Sequence, residues 1–223
     1  MSIAEKLQAI AENEQKVYQA GYTKGQLEGD AAFVLSKVGL NDNAFYGVEF
    51  PQDYDLVVNV RYIYSIGYAF YKTTGLKSIK FTGGDGAISC EWSSTFRETS
   101  AEVIDVSGLP TKPRSLDNTF YKATNLKRIV GALDCSMVTM YNSGCFSQCS
   151  MLEDVSFVPG TIVLGIKFSS CPLLSDASIE SIINGLADLT GTTSQKVYFH
   201  STVLNKLTTE QCQRMTDKNW TFA

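Results

Sequence analysis

The sequence has a single histidine, His200, among its 223 residues. A serine or cysteine nucleophile that needs a histidine base therefore has only His200 to use, and no nucleophile motif surrounds any serine or cysteine. We expect His200 to be a surface or capping residue. The glycine-rich segment 81–86 lacks the Lys-Ser/Thr pair of a phosphate-binding loop and is interpreted as a turn. The sequence assigns no catalytic residue and favours a non-enzymatic protein over an enzyme.

Long apolar runs and an excess of basic residues are also missing. No segment approaches the roughly 18 consecutive apolar residues of a membrane-spanning helix, and the N-terminus lacks the apolar core of a signal peptide. We therefore predict a soluble protein with no signal peptide, no transmembrane segment and no membrane insertion. The net charge of −4 offers no general basic surface, so we expect no nucleic-acid partner.

What the sequence does contain is a repeat. Five phenylalanines recur at intervals of 26, 24, 26 and 22 residues, namely Phe70, Phe96, Phe120, Phe146 and Phe168. In three of the blocks that they begin, leucine follows six residues later and isoleucine or valine nine residues later. The block after Phe96 fits if it loses one residue, which places Ile104 in the column of Ile79. Such columns indicate units that each contribute a short strand and stack on their neighbours.

The repeated pattern of Phe, a small residue or Cys three positions on, Leu and Ile resembles the BspA-type leucine-rich repeat family. The likeness covers roughly residues 61–175 and is clearest at segments 133–140 and 145–149. It implies an α/β repeat fold, a short leucine-rich-repeat solenoid of about five units of 22–26 residues. We divide the chain into an N-terminal helix for coiled-coil formation or docking (1–30), an N-terminal cap or linker (31–60), the repeats (61–175) and an α/β C-terminal cap (176–223).

The N-terminal segment has the apolar spacing of a helix with a narrow seam. Its seam residues follow a four-three heptad spacing and are Ile3, Leu7, Ile10, Val17 and Gly21. Two roles remain open for this helix. It can form a homo-oligomer or dock the protein on a larger assembly, or it can fold back and cap the first repeat.

Residues 2–21 are also similar to the leader of structural proteins encoded by tailed phages and prophages of gut Firmicutes. This resemblance implies a virion or tail-associated protein, made in the host cytoplasm. It also implies that the helix contacts other copies of the chain or other virion proteins.

The C-terminal segment departs from the repeat in the way that a terminal cap should. The residues predicted to share one helical face are Ile179, Ile182, Ile183, Leu186 and Leu189. Ser175 and Asp176 are the candidate caps of this helix, and Gly191 is its candidate end. A short strand at 196–200, a capping box at 208–211 that opens a second helix, and a last strand at 219–223 complete the predicted cap.

Six cysteines raise the question of disulfides or metal. Cys149 and Cys171 lie three residues after a repeat phenylalanine, where other units have Thr or Ala, and Cys145 lies in a second column of small residues. The cysteines show no compact four-ligand pattern, so we predict no metal site and no cofactor. Free, mostly buried thiols are the favoured interpretation, and a bridge between Cys149 and Cys171 is the remaining alternative.

The two positions after each repeat phenylalanine are too polar for a core and are predicted to form an exposed ladder. Tyrosine and arginine are common in binding hot spots, so the first three units supply the candidate ligand-binding residues. These are Tyr71, Lys72, Arg97, Tyr121 and Lys122. The alternative is a solvated edge that binds nothing.

Three functions follow from these observations. The first is a phage virion or tail-associated protein whose repeats contact a bacterial surface glycan or protein. The second is an intracellular scaffold or regulator that binds a protein partner through the repeats. The third, an enzyme, has the least support.

Overall fold

The computed structural model describes most of the chain after residue 31. The described ranges are 32–40, 42–63, 65–83, 88–109, 111–139 and 144–223. The predicted N-terminal helix of residues 1–30 lies outside them, together with its proposed docking residues. Those residues are Ile3, Leu7, Ile10, Val17 and Gly21.

The strands of the described residues form three sheets, all with parallel pairing. The six-stranded sheet contains, in spatial order, β1 Ala32–Leu40, β2 Glu49–Ile63, β3 Thr74–Thr82, β5 Val103–Asp105, β7 Arg128–Leu133 and β8 Asp154–Phe157. A three-stranded sheet contains β11 Trp220–Phe222, β10 Gln195–Phe199 and β9 Ile166–Phe168. A two-stranded sheet pairs β4 Ile88–Glu91 with β6 Thr111–Ser115.

Three helices occur in the described residues, and all follow residue 175. They are α1 Asp176–Gly185, α2 Ser201–Leu204 and α3 Thr209–Asp217. Two of the predicted caps are confirmed: the Ser175 side chain accepts from the N–H of Ser178, and Thr208 with Gln211 forms a capping box. Asp176, the other candidate cap, is the first residue of α1. Helix α1 ends well before Gly191, because the backbone at Leu186 is extended and pairs in parallel with Ile162.

The predicted fold class is wrong. The described residues form a mixed α/β fold on a mostly parallel multi-stranded sheet, and not a short leucine-rich-repeat solenoid with an N-terminal helix. The six-stranded sheet begins with strands of 9 and 15 residues, and the residues that the structure describes between β2 and β8 include turns and no helix. Regular apolar columns appear wherever successive parallel strands bury the same face. The periodicity therefore predicted the strand stacking without specifying the architecture.

The strand register predicted for the apolar columns is confirmed. Ile79 pairs with Ile104, and Ile104 pairs with Ile129, which includes the block that needed a one-residue deletion. All three side chains are buried in one core.

A stack of phenylalanine rings runs through this core. Consecutive centroids lie 4.8–5.5 Å apart, with interplanar angles of 20° or less, in the series Phe45, Phe70, Phe96, Phe120, Phe146 and Phe168. Aromatic pairs in such contact contribute about 0.5–1.5 kcal/mol each beyond the burial of their area. The stack fixes the turns above it at a constant spacing.

Except for Phe168, which ends β9, these phenylalanines lie in turns, and the turns of Phe70, Phe96 and Phe120 each hydrogen-bond to the next turn. The N–H of Lys72 donates to the Arg97 carbonyl, that of Glu98 to the Tyr121 carbonyl, and that of Lys122 to the Ser147 carbonyl, all at 2.9 Å. The three donor residues have left-handed backbones, with φ of 57–58°. Outside glycine this conformation is uncommon, and its recurrence shows that the stacked turns impose it. Successive turns therefore present equivalent positions in rows.

Candidate interaction surface

Two rows of side chains leave these turns at the surface. In the five turns from Phe45 to Phe146, the first position after the phenylalanine carries Tyr46, Tyr71, Arg97, Tyr121 and Ser147, and the second carries Gly47, Lys72, Glu98, Lys122 and Gln148. We call the seven aromatic and charged members the turn ladder: Tyr46, Tyr71, Lys72, Arg97, Glu98, Tyr121 and Lys122. All of them are half-buried or exposed, as predicted for the repeat members.

Arg97 is clamped between two tyrosines. Its guanidinium carbon lies 5.1 Å from the centroid of Tyr71 and 4.8 Å from that of Tyr121. Both rings belong to turns that flank the turn of Arg97, so the stacking of the turns creates this arrangement. Each cation–π contact at an exposed site contributes about 0.5–1 kcal/mol. The clamp therefore restricts the orientation of the guanidinium plane.

Charged neighbours surround the clamp. The Nε of Arg97 donates to Glu98 Oε1 at 3.3 Å, and the two side chains are 30% and 24% exposed. The ammonium of Lys72 lies 5.1 Å from the Tyr71 centroid, and that of Lys122 lies 5.5 Å from the Tyr121 centroid. The structure thus brings together all five predicted ligand-binding residues.

Sequence reasoning missed two members of the aromatic surface. The edge of Tyr46 meets the ring of Tyr71 at 5.0 Å with an interplanar angle of 83°, and Tyr68 lies 5.9 Å from Tyr71. Both additional tyrosines are more than 40% exposed. The signal was present in the repeated Phe-Tyr pair, because Phe45 and Tyr46 precede Phe70 and Tyr71 by 25 residues.

The C-terminal turns carry a different surface. Their equivalent positions hold small polar residues, namely Ser147, Gln148, Ser169 and Ser170. The side-chain amide of Gln148 donates to the Tyr121 hydroxyl at 3.4 Å, which is a long hydrogen bond. The turn ladder therefore ends at Tyr121 and Lys122.

Burial disfavours the thiolate form in four of the six cysteines. All six are free, and five of them are buried, which confirms the interpretation of buried thiols. Burial raises the pKa of Cys135 and of Cys171 to about 12, and it raises the pKa of Cys145 and Cys149 well above the usual range. The Cys149 thiol lies 2.9 Å from the Phe120 carbonyl and donates to it, so it serves packing and hydrogen bonding.

His200 caps helix α2, as one of its two predicted roles requires. Its Nδ1 accepts a hydrogen bond from the N–H of Thr202 at 3.2 Å. The Thr202 hydroxyl in turn donates to the carbonyl of Pro172 at 3.0 Å. The histidine is therefore committed to the local structure of the C-terminal segment.

Within the described ranges, no group of histidine, cysteine, aspartate or glutamate side chains is arranged to hold a metal ion. The same residues include no helix with the length and apolar character needed to cross a membrane. Comparisons with protein-family models, with curated proteins and with solved structures find no match for this chain.

Proposed function

We propose that the protein is a non-enzymatic binding module that recognises a bacterial surface glycan or protein through the turn ladder. The single observation that carries this proposal is the clamp of Arg97 between Tyr71 and Tyr121. A surface that serves only to face water does not need an arginine ordered between two rings. Tyrosine and arginine are also the residues that most often dominate the energy of binding surfaces.

Order within the ladder favours binding for a second reason. The loss of side-chain entropy on binding costs about 0.5–1.5 kcal/mol for each flexible side chain that becomes immobilised. Here the rings and the guanidinium already restrict one another, and the backbone beneath them is hydrogen-bonded from turn to turn. Part of the ordering entropy is therefore lost on folding, before any ligand arrives.

The proposal includes the setting of a phage particle. Its support is the resemblance of residues 2–21 to the leader of phage structural proteins and the heptad spacing of the same segment. Repeated copies of a weak binding surface on one particle would bind much more tightly than a single copy. The segment lies outside the described residues, so the virion location and the homo-oligomer stay predictions.

The test is binding of the labelled full-length protein to a panel of Firmicute cells. We expect a Tyr71→Ala/Tyr121→Ala double variant to bind at least about tenfold more weakly, because hot-spot truncations cost more than about 1.4 kcal/mol. The matched control is Ser147→Ala/Gln148→Ala, which changes the next turn of the same edge and should bind like the unmodified protein. Equal binding by both variants contradicts the proposal. Absence of cell binding, with retention of an intracellular protein partner, would support the scaffold alternative.

A further inference from the structure

The turn ladder has a local charge opposite to that of the whole chain. It carries three cations, Lys72, Arg97 and Lys122, against one carboxylate, that of Glu98. The full sequence has a net charge of −4. A cationic strip on an acidic protein attracts anionic ligands while the remaining surface repels them, which favours binding at the strip itself.

The clamp also fixes which part of Arg97 can meet a ligand. The rings of Tyr71 and Tyr121 lie on either side of the guanidinium, and Glu98 accepts from its Nε. Among the described residues, the two terminal amino groups have no hydrogen-bond acceptor. Such a pair forms the planar fork that matches the two oxygens of a carboxylate.

The spacing of the ladder discriminates between kinds of chain. Parallel strands lie about 4.8 Å apart, and the clamp repeats that distance, with 5.1 and 4.8 Å between the guanidinium and the two rings. An extended peptide advances about 3.3 Å per residue and places side chains of one face about 6.6 Å apart, so its side chains do not match the spacing of successive turns. In a linear polysaccharide, the length of one sugar unit is close to the distance between adjacent turns.

The chemistry of the exposed atoms agrees with a sugar chain. The faces of Tyr71 and Tyr121 that look toward each other are occupied by Arg97, so ring edges, hydroxyls and lysine ammonium groups are left for contact. A hydroxyl-rich chain that also carries carboxylates can hydrogen-bond to the tyrosine hydroxyls and the lysine ammonium groups, while its sugar rings pack against the ring edges.

We propose that the ligand of the turn ladder is a carboxylate-bearing glycan chain that runs across successive turns and places one carboxylate on the Arg97 guanidinium. This inference rests on the proposed function. Glu98 then weakens the attraction, because its carboxylate binds the Nε of the same arginine and partly neutralises the charge that the ligand carboxylate meets at the terminal amino groups. Removing that charge should tighten binding, and a misfolded variant cannot produce such a gain.

The experiment measures binding of the full chain to polygalacturonate, a polymer of carboxylated sugars, and to its neutral methyl ester. We expect the ester to bind at least about tenfold more weakly than the acid, and Arg97→Gln to lose about tenfold for the acid, the size of a charged hydrogen bond. Glu98→Gln should gain roughly two- to fivefold for the acid, as for one exposed charge pair, with no gain for the ester.

A matched control separates the ladder from general attraction to a polyanion. Lys196 lies 5.0 Å from the Tyr198 centroid, in the three-stranded sheet, and so resembles the ladder lysines in charge and in aromatic contact. Lys196→Gln should leave the affinity for the acid polymer unchanged, whereas Lys122→Gln should weaken it.

Four results would overturn the inference: no binding to the acid polymer, equal binding of acid and ester, no gain from Glu98→Gln, or binding of polyglutamate in place of polygalacturonate. Binding to protease-treated cells, which lose surface proteins and keep their glycans, distinguishes a failure of this inference from a failure of the proposed function. If the ladder still mediates cell binding after the cell carboxylates are converted to neutral amides with carbodiimide and ethanolamine, the binding function stands and the acidic glycan is wrong. If ladder variants never affect cell binding, the proposed function itself fails.

Discussion

The turns of Phe70, Phe96 and Phe120 form an N-terminal half of the exposed edge, and a C-terminal half begins at the turn of Phe146. The two halves share a backbone conformation and differ in their surface side chains. Phe96 and Phe120 stack at 5.5 Å in the N-terminal half, and Phe120 and Phe146 stack at 5.4 Å where the C-terminal half begins. Left-handed backbone follows the phenylalanine in both halves, with φ of 58° at Lys122 and 63° at Gln148. Yet one half carries the clamped arginine and its tyrosines, while the other carries serine and glutamine. The fold therefore does not require the aromatic and cationic side chains, which is why we assign them to binding.

The largest effect should come from removing a ring that both halves share. Phe120→Ala is expected to lower the free energy of unfolding by about 3–5 kcal/mol, because it removes a fully buried ring from the stack. Its neighbour Tyr121 is on the surface, so Tyr121→Ala should cost about 1–2 kcal/mol, the size of two exposed cation–π contacts. Urea denaturation of both variants measures the difference. Equal costs would contradict the division between stack and ladder.

A smaller effect is expected where turn and strand meet. Gly75 and Gly191 have the same φ of +77°, but a Cβ at Gly75 would lie 2.0 Å from the Phe50 carbonyl oxygen, whereas nothing lies within 4 Å at Gly191. Gly191→Ala should therefore cost only the left-handed backbone term of about 1–2 kcal/mol, and Gly75→Ala clearly more. Thermal unfolding of the pair isolates the close approach of β2 and β3 at their first residues. Similar melting temperatures would show that these two strands are not packed so closely.

The clamp itself should contribute little to stability. Arg97→Ser introduces the residue that the C-terminal half has at the equivalent position, Ser147. It removes two exposed cation–π contacts and one exposed ion pair. We expect a loss of about 1–2 kcal/mol or less in the free energy of unfolding. Gln148→Ser, two turns away, should cost less still. A loss as large as that of Phe120→Ala would mean that the clamp serves the fold.

The halves also differ beneath the surface, in a way that thiol chemistry detects. The position three residues after each repeat phenylalanine holds Thr73 and Thr99 in the N-terminal half, and their hydroxyls are 2.8 Å apart. In the C-terminal half the same position holds Cys149 and Cys171. Because burial raises the pKa of both thiols, labelling of the native protein at pH 8 should modify Cys212, which is partly exposed, well before the rest. The thiolate fraction of the buried groups rises only as pH approaches their raised pKa. Rapid labelling of a second thiol would contradict the buried column.

Much of the internal register could be read from the sequence. Buried columns follow from the recurrence of phenylalanine, leucine and isoleucine, and the exposed ladder follows from polar residues at fixed positions after each phenylalanine. The sequence of the block that begins at Phe45 does not show the full repeat pattern, for a physical reason. Strand β2 has register shifts between Glu49 and Tyr54 and between Tyr54 and Asp55, so its apolar residues are displaced from the expected columns.

Two other features could not be predicted from the pattern. The contact of Arg97 with both tyrosines joins residues about 25 positions apart, and it depends on how adjacent turns align in space. The fold class depends on the length of the first strands and on turns as connections, neither of which the period specifies. A period identifies what repeats, while the connections decide the architecture.

The most direct test of the central claim is the binding of the Arg97→Ser and Gln148→Ser variants of the full-length protein to Firmicute cells that bind the unmodified protein. Both substitutions place serine on the same edge, in adjacent halves, and both should leave the protein folded. If the clamp forms the binding surface, Arg97→Ser loses at least about tenfold in affinity, as expected for a hot-spot residue, and Gln148→Ser retains it. Equal affinities for the two variants would contradict the account.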